Sequence, residues 1–198
     1  EKLLLDGPIV TDGAWGTEFR SAGLEAGQCP DGWNLTRPDD VLRIAQTYVH
    51  AGSRIILTNT FRANRLALES YGLQAKTEAI NVAGVEISLQ AARERAIVFG
   101  SIGPARNLST QQQPPNEELL FQTFQEQARL LASAGAQGIV LETFTDLHET
   151  LLAVLAAKTT ELPVIASVVF DSGGGRDRMA SGHAPEDAAK TLTNAGAD

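Results

Sequence analysis

At 198 residues and 43% apolar composition, the chain is long enough to bury a substantial single core, so one globular domain is expected. A net charge of −8 excludes a nucleic-acid backbone as the partner, because phosphate binding needs a basic surface. No apolar run approaches the roughly 20 residues of a membrane span, and the opening EKLLLDGPIV is too soon broken for a secretory signal. The lone cysteine, Cys29, forms no internal disulfide and points to a reducing compartment, the cytoplasm. Nor does one cysteine build a thiolate-rich zinc site. The chain begins with Glu1 rather than methionine, which suggests an incomplete or processed N-terminus.

Strand and helix patterns alternate along the whole length. PIVTD is a short apolar run ending in the carboxylate of Asp12. A helix is expected from about Thr36, with the Thr36 hydroxyl as cap, Pro38 in the first turn and Val41, Ala45, Tyr48 and Gly52 at helical spacing. RIILTNT reads as a buried strand, and residues 77–95 as a helix with Ile80, Ala83, Ile87 and Ala91 on one face. AIVFGSIGP is a third strand closed by a Gly/Pro turn. PPNEELLFQTFQEQARLLASAG follows as a helix capped by Asn116, with Glu117 and Glu118 at its positive end. GIVLETF is strand four, and Asp146 with Glu149 forms a capping-box pattern for DLHETLLAVLAAKTT. LPVIASVVF is strand five, SGGGRDRMASG a loop and APEDAAKTLTNAG a fifth helix.

Continuous apolar strands, five strand–helix units in all, indicate a parallel sheet covered on both faces. Two architectures fit: an open doubly wound sheet, or about the first five units of a (β/α)8 TIM barrel. No GxGxxG opens a helix, which lowers the dinucleotide-binding alternative. A repeated phrase favours the barrel. Seven residues after Gly52 stands Asn59, and seven after Gly135 stands Glu142, both polar and both ending apolar strands. Asp12 and Ser101 hold similar strand-end positions. Polar groups gathered at the C-terminal rim are what a barrel active site requires. The phrase recurs a third time as NAGAD, whose equivalent position after Gly196 falls beyond Asp198.

DGAWGTEF, at residues 12–19, resembles the DGAMGT signature of the homocysteine S-methyltransferase family. WNLTRPDDV, YVHAGSRIILTNTF, INVAG, FGSIGP, ETFTDLHE and GRDRMASGHAPEDAA follow in the family's order, so the match covers nearly the whole chain. The resemblance implies an α/β (β/α)8 barrel, residues 1–198 being a homocysteine-binding domain whose C-terminal part is missing. It implies methyl transfer to the thiol of homocysteine, activated as a zinc thiolate, to give methionine. The zinc cysteines of the family are expected beyond residue 198, so no metal ligand is assigned within the chain. The partners implied are homocysteine and a small-molecule methyl donor: S-methylmethionine, S-adenosylmethionine, betaine, or methylfolate through cobalamin. Oligomeric state stays open.

By the same resemblance Glu142 is the partner of the homocysteine ammonium, and Asp12 lies beside it. The backbone at Gly13, Ala14 and Trp15 suits the carboxylate, and Asn59, Thr60 and Ser101 are further pocket candidates from strand-end position. Trp15 stands where the family usually has methionine and belongs either over the pocket or in the core. Asp12 has a rival role bracing the turn at Gly13. His50, His148 and His183 lack metal spacing, and Cys29 in its early loop is read as a non-ligand. Arg176 and Arg178 resemble the family's loop after strand five. An alternative function is a catalytically inactive barrel relative serving as a small-molecule binding or scaffold module; another keeps the chemistry but uses a different thiol or selenol acceptor.

Overall fold

A computed structural model describes residues 7–105 and 116–198. Four parallel strands, β1 (Ile55–Leu57), β2 (Ile97–Ile102), β3 (Gly138–Phe144) and β4 (Val164–Val168), lie in the sheet in chain order. Helices precede, separate and follow them: α1 (Trp15–Ser21), α2 (Trp33–Thr36), α3 (Pro38–Ala51), α4 (Arg65–Glu69), α5 (Thr77–Ala92), α6 (Glu117–Ser133), α7 (Leu147–Lys158) and α8 (Pro185–Asn194). A doubly wound sheet reverses its strand order at a switch point. This order has no reversal, and α5, α6, α7 and α8 pack successively on one another, as in a barrel.

Period-two alternation sorts the strand residues onto two faces. Ile56, Val98, Ile102, Ile139, Leu141 and Val164 are fully buried beneath the helices. Gly100 belongs to that face, where an added Cβ would stand 2.8 Å from Leu131 of α6, so the helix sits against bare backbone. The other face carries Leu57, Ser101, Val140 and Glu142.

The repeated Ala-Gly phrase has one geometry in all three copies. Gly52, Gly135 and Gly196 close helices in the left-handed region, at φ 103°, 106° and 101°. Two residues on, the N–H groups of Arg54, Gln137 and Asp198 donate to Val10, Val98 and Val164 of the preceding strand or run. The side chains of Gln137 and Asp198 also accept from the backbone of Val98 and Val164, at 3.0 and 2.9 Å.

Several boundaries differ from the sequence reading. PIVTD is not a full strand: it makes one parallel bridge, Thr11 to Ile55, and Val10 is 63% exposed. Thr36 ends α2, its hydroxyl donating to the Gly32 carbonyl at 3.2 Å, so Arg37 occupies the cap position of α3 without a side-chain cap. Helix α5 stops at Ala92, because Arg93 turns to φ 48°. Asn116 and Asp146 do cap α6 and α7, accepting from Leu119 and Glu149 N–H. The Glu149 carboxylate takes the N–H of Ala105 at 2.9 Å. The opening EKLLLD and the Pro114–Pro115 pair lie outside the described residues.

Candidate functional site

At the C-terminal ends of β1, β2 and β3 the chain forms a half-open cavity of about 320 Å³. Gly13, Ala14, Trp15, Asn59, Ser101 and Glu142 all line it. Asp12, half-buried directly behind the turn, holds this wall together. One of its carboxylate oxygens accepts from the Trp15 indole at 2.7 Å and from the Leu57 N–H at 2.8 Å. Desolvation raises the Asp12 pKa above the usual carboxylate value, and the two hydrogen bonds oppose that rise. Trp15 serves cavity and core at once: it lines the wall and stacks near Phe19 and Tyr48, at centroid distances of 5.8 and 6.2 Å.

Glu142 comes from β3 on the face it shares with Ser101, whose hydroxyl donates to it. Burial raises its pKa and so does the negative charge of Asp12, while the Ser101 hydrogen bond lowers it. The two carboxylates therefore feel each other's negative charge, a repulsion that a ligand ammonium would relieve.

Strict alternation would put Glu142 and Phe144 on one face. Instead β3 slips register between Leu141 and Phe144, and Thr143 sits at φ 64° as the extra residue. The bulge lets Glu142 face the cavity while Phe144 is fully buried, 5.8 Å from the Phe124 ring of α6. A β-branched residue with positive φ is a strained conformation held by its surroundings.

Asn59 and Thr60 are placed differently from each other. Asn59 lines the cavity, but its amide donates to Pro30 O and to Asn34 Oδ1, both at 2.9 Å. Thr60 is fully buried behind the wall, donating to the Ser101 carbonyl at 2.7 Å and pairing with the Thr58 hydroxyl. Its role is to tie β1 to β2.

Several wall residues escaped the sequence reading, the polar Asp31, Thr58, Arg62 and Thr143 among them. Thr58 and Arg62 flank the positions that were chosen, and Asp31 arrives on a loop with no periodic signal. Asp31 is 2% exposed. Its carboxylate accepts from the Arg62 N–H at 2.9 Å and from the Cys29 thiol at 3.8 Å. Burial pushes its pKa up to about 6.

No cluster of three or more His, Cys, Asp or Glu able to hold a metal occurs among the described residues. Cys29 is the opposite of a zinc thiolate: burial and the neighbouring Asp31 charge push its thiol up to about 12. His148 pairs with Glu117 at 2.9 Å and His183 with Ser181 at 3.0 Å. The described residues do not fit a zinc site. Arg178 lies in an antiparallel bridge with Ser172, and Arg176 sits at φ 53° in the same loop. A larger open groove of about 640 Å³, beside Trp33 and Tyr71, gathers none of the strand-end polar groups.

Residues 9–198 match the family profile described as homocysteine S-methyltransferase. Over 186 residues, 84% of the chain, the sequence is 30% identical to a methionine synthase of Mycobacterium tuberculosis and 29% identical to that of Mycobacterium leprae. The chain spans about 15% of the length of these curated relatives. Among solved structures it is similar to the homocysteine methyltransferase MmuM from Escherichia coli. Against the metallated form the TM-score is 0.83 at 20% identity, covering 99% of this chain and 74% of that one. Against the apo form the TM-score is 0.75. That likeness shows the fold, an α/β chain matching part of a TIM barrel.

Proposed function

The chain belongs to the homocysteine S-methyltransferase family, and from that premise we propose that its cavity binds the amino-acid end of homocysteine in a methyltransferase that forms methionine. The observation that carries this reading is the Glu142 carboxylate on the wall of one small cavity, within reach of the negative charge of Asp12 behind the turn. The substrate ammonium sits against Glu142, with Asp12 adding its negative charge from behind the turn. The Ser101 hydroxyl orients Glu142, and the backbone at residues 13–16 receives the substrate carboxylate. Trp15, Phe19 and Phe61 supply the apolar surface beside the substrate's methylene chain.

In the reaction the sulfur forms a bond to the methyl carbon while the donor's bond to that carbon breaks. The bond's electron pair stays on the donor, and the thiol proton is lost. What this chain's residues contribute is binding and orientation. A metal belongs to the reading only through the metallated form of the MmuM structure. The described residues do not fit such a site. The single cysteine supports a cytoplasmic setting.

The test is methionine formation by the whole protein from homocysteine and a panel of methyl donors, with Glu142→Gln alongside. The expected result is turnover by the native protein and a homocysteine KM at least about tenfold higher in Glu142→Gln, with an unchanged unfolding temperature. Failure to form methionine with every donor, or an unchanged KM, overturns the reading.

A further inference from the structure

The turn after β1 places Arg62 on the cavity wall, its backbone pinned by the N–H bond to Asp31. Its side chain is half-buried. Among the described residues the Arg62 guanidinium makes no hydrogen bond and no ion pair within 4 Å. Arg37, Arg43 and Arg65, by contrast, each close on a carboxylate. Asp31 feels the Arg62 charge but makes no direct ion pair with it, because its oxygens accept from the Arg62 N–H and the Cys29 thiol. A cavity-wall guanidinium that closes on no carboxylate within 4 Å can take up the planar carboxylate of a ligand. Homocysteine does not need it: the proposed binding mode meets its ammonium with Glu142 and Asp12, and its carboxylate with the turn at residues 13–16. A 320 Å³ cavity also exceeds what one small amino acid fills.

Resting on that reading, we propose that Arg62 recognises the methyl donor. It takes the carboxylate of a donor that enters the cavity as a free small molecule carrying its methyl on a positively charged sulfur or nitrogen. Phe61, next in the chain, offers ring surface to the charged methyl-bearing centre. During transfer the donor's methyl–heteroatom bond breaks with its electron pair remaining on that atom, so the donor loses its positive charge. A corrinoid presented by a separate domain has no such carboxylate to give, so this wall separates the two donor classes.

The experiment uses the whole protein with S-methylmethionine, betaine and methylcobalamin as donors, in native, Arg62→Gln and Arg62→Lys forms. Homocysteine affinity is measured separately by calorimetry. Arg62→Gln is expected to raise the KM of a carboxylate-bearing donor about ten- to a hundredfold while homocysteine affinity stays within about twofold. Arg62→Lys recovers part of the loss. The carboxamide of the same donor is expected to lose a similar factor with the native protein and little more with Arg62→Gln. The proposal is overturned by an unchanged donor KM, by an equal loss of homocysteine affinity, or by methionine formed from methylcobalamin alone or from no free donor. Absence of homocysteine binding to the native protein would instead remove the reading beneath it.

Discussion

Asp31→Asn is expected to stabilise the protein, and to do so only above acidic pH. The carboxyl is 2% exposed, and the Arg62 N–H and charge offset the cost of burying it only in part. Burial moves its pKa from 3.8 to about 6. At roughly 1.4 kcal/mol per pKa unit, keeping it ionised near neutrality costs on the order of 3 kcal/mol. The folded state holds the proton more tightly than the unfolded chain. Stability from this group is therefore greatest below pH 3.8, falls as pH rises to about 6, and stays lower beyond. Asparagine keeps the Oδ1 acceptor for Arg62 N–H and removes the charge, at the expense of the weak thiol contact. Denaturant unfolding across pH 4 to 8 reads the difference. A gain of about 1–3 kcal/mol near pH 7.5 that fades toward pH 4 is expected. A loss of stability near pH 7.5, or a difference that does not change with pH, refutes the assignment.

Thr143→Gly relieves a positive φ and should raise stability by about 0.5–1 kcal/mol with Glu142 still in place, read as a Tm increase of a few degrees. A lower Tm contradicts the strain. Gly84→Ala is expected to destabilise by about 1–3 kcal/mol, because the new Cβ would stand 2.7 Å from both Asn34 Nδ2 and Thr60 Cγ2. Asn34 is held by Asn59 O and Ile80 O, at 2.7 and 2.9 Å, so it has little room to yield; unchanged denaturant stability would count against that packing. Homocysteine affinity should fall as pH is lowered, since ammonium binding needs Glu142 and Asp12 ionised. Both are raised above their ordinary values, so the fall begins above the usual carboxylate range. A Kd constant down to about pH 4.5 contradicts this.

Strand ends were readable because a left-handed glycine fixes where each helix stops and the next strand starts. Counting from Gly52 and Gly135 lands on Asn59 and Glu142, and both line the cavity. The count fails one residue later. After Leu57 the ladder ends and the chain turns, Thr60 N–H donating to Thr58 O at 2.9 Å, so Thr60 points inward although it sits beside Asn59. PIVTD has strand composition, yet composition does not show how many of its backbone groups find a neighbour. GIVLETF likewise reads as an uninterrupted strand, since threonine favours strands. The bulge at Thr143 comes from a tertiary demand, Phe144 against Phe124 and Glu142 toward the cavity, which no local pattern encodes. Asp31 reaches the wall on a loop whose position only the folded chain defines.

The most direct test of the central claim is calorimetric titration of L-homocysteine into the native protein, Glu142→Gln and Asp12→Asn. The account predicts saturable binding by the native protein. It predicts a Kd at least about tenfold weaker in Glu142→Gln and a smaller loss in Asp12→Asn, with both variants folded. Equal affinity in all three, or no binding by the native protein, would contradict it.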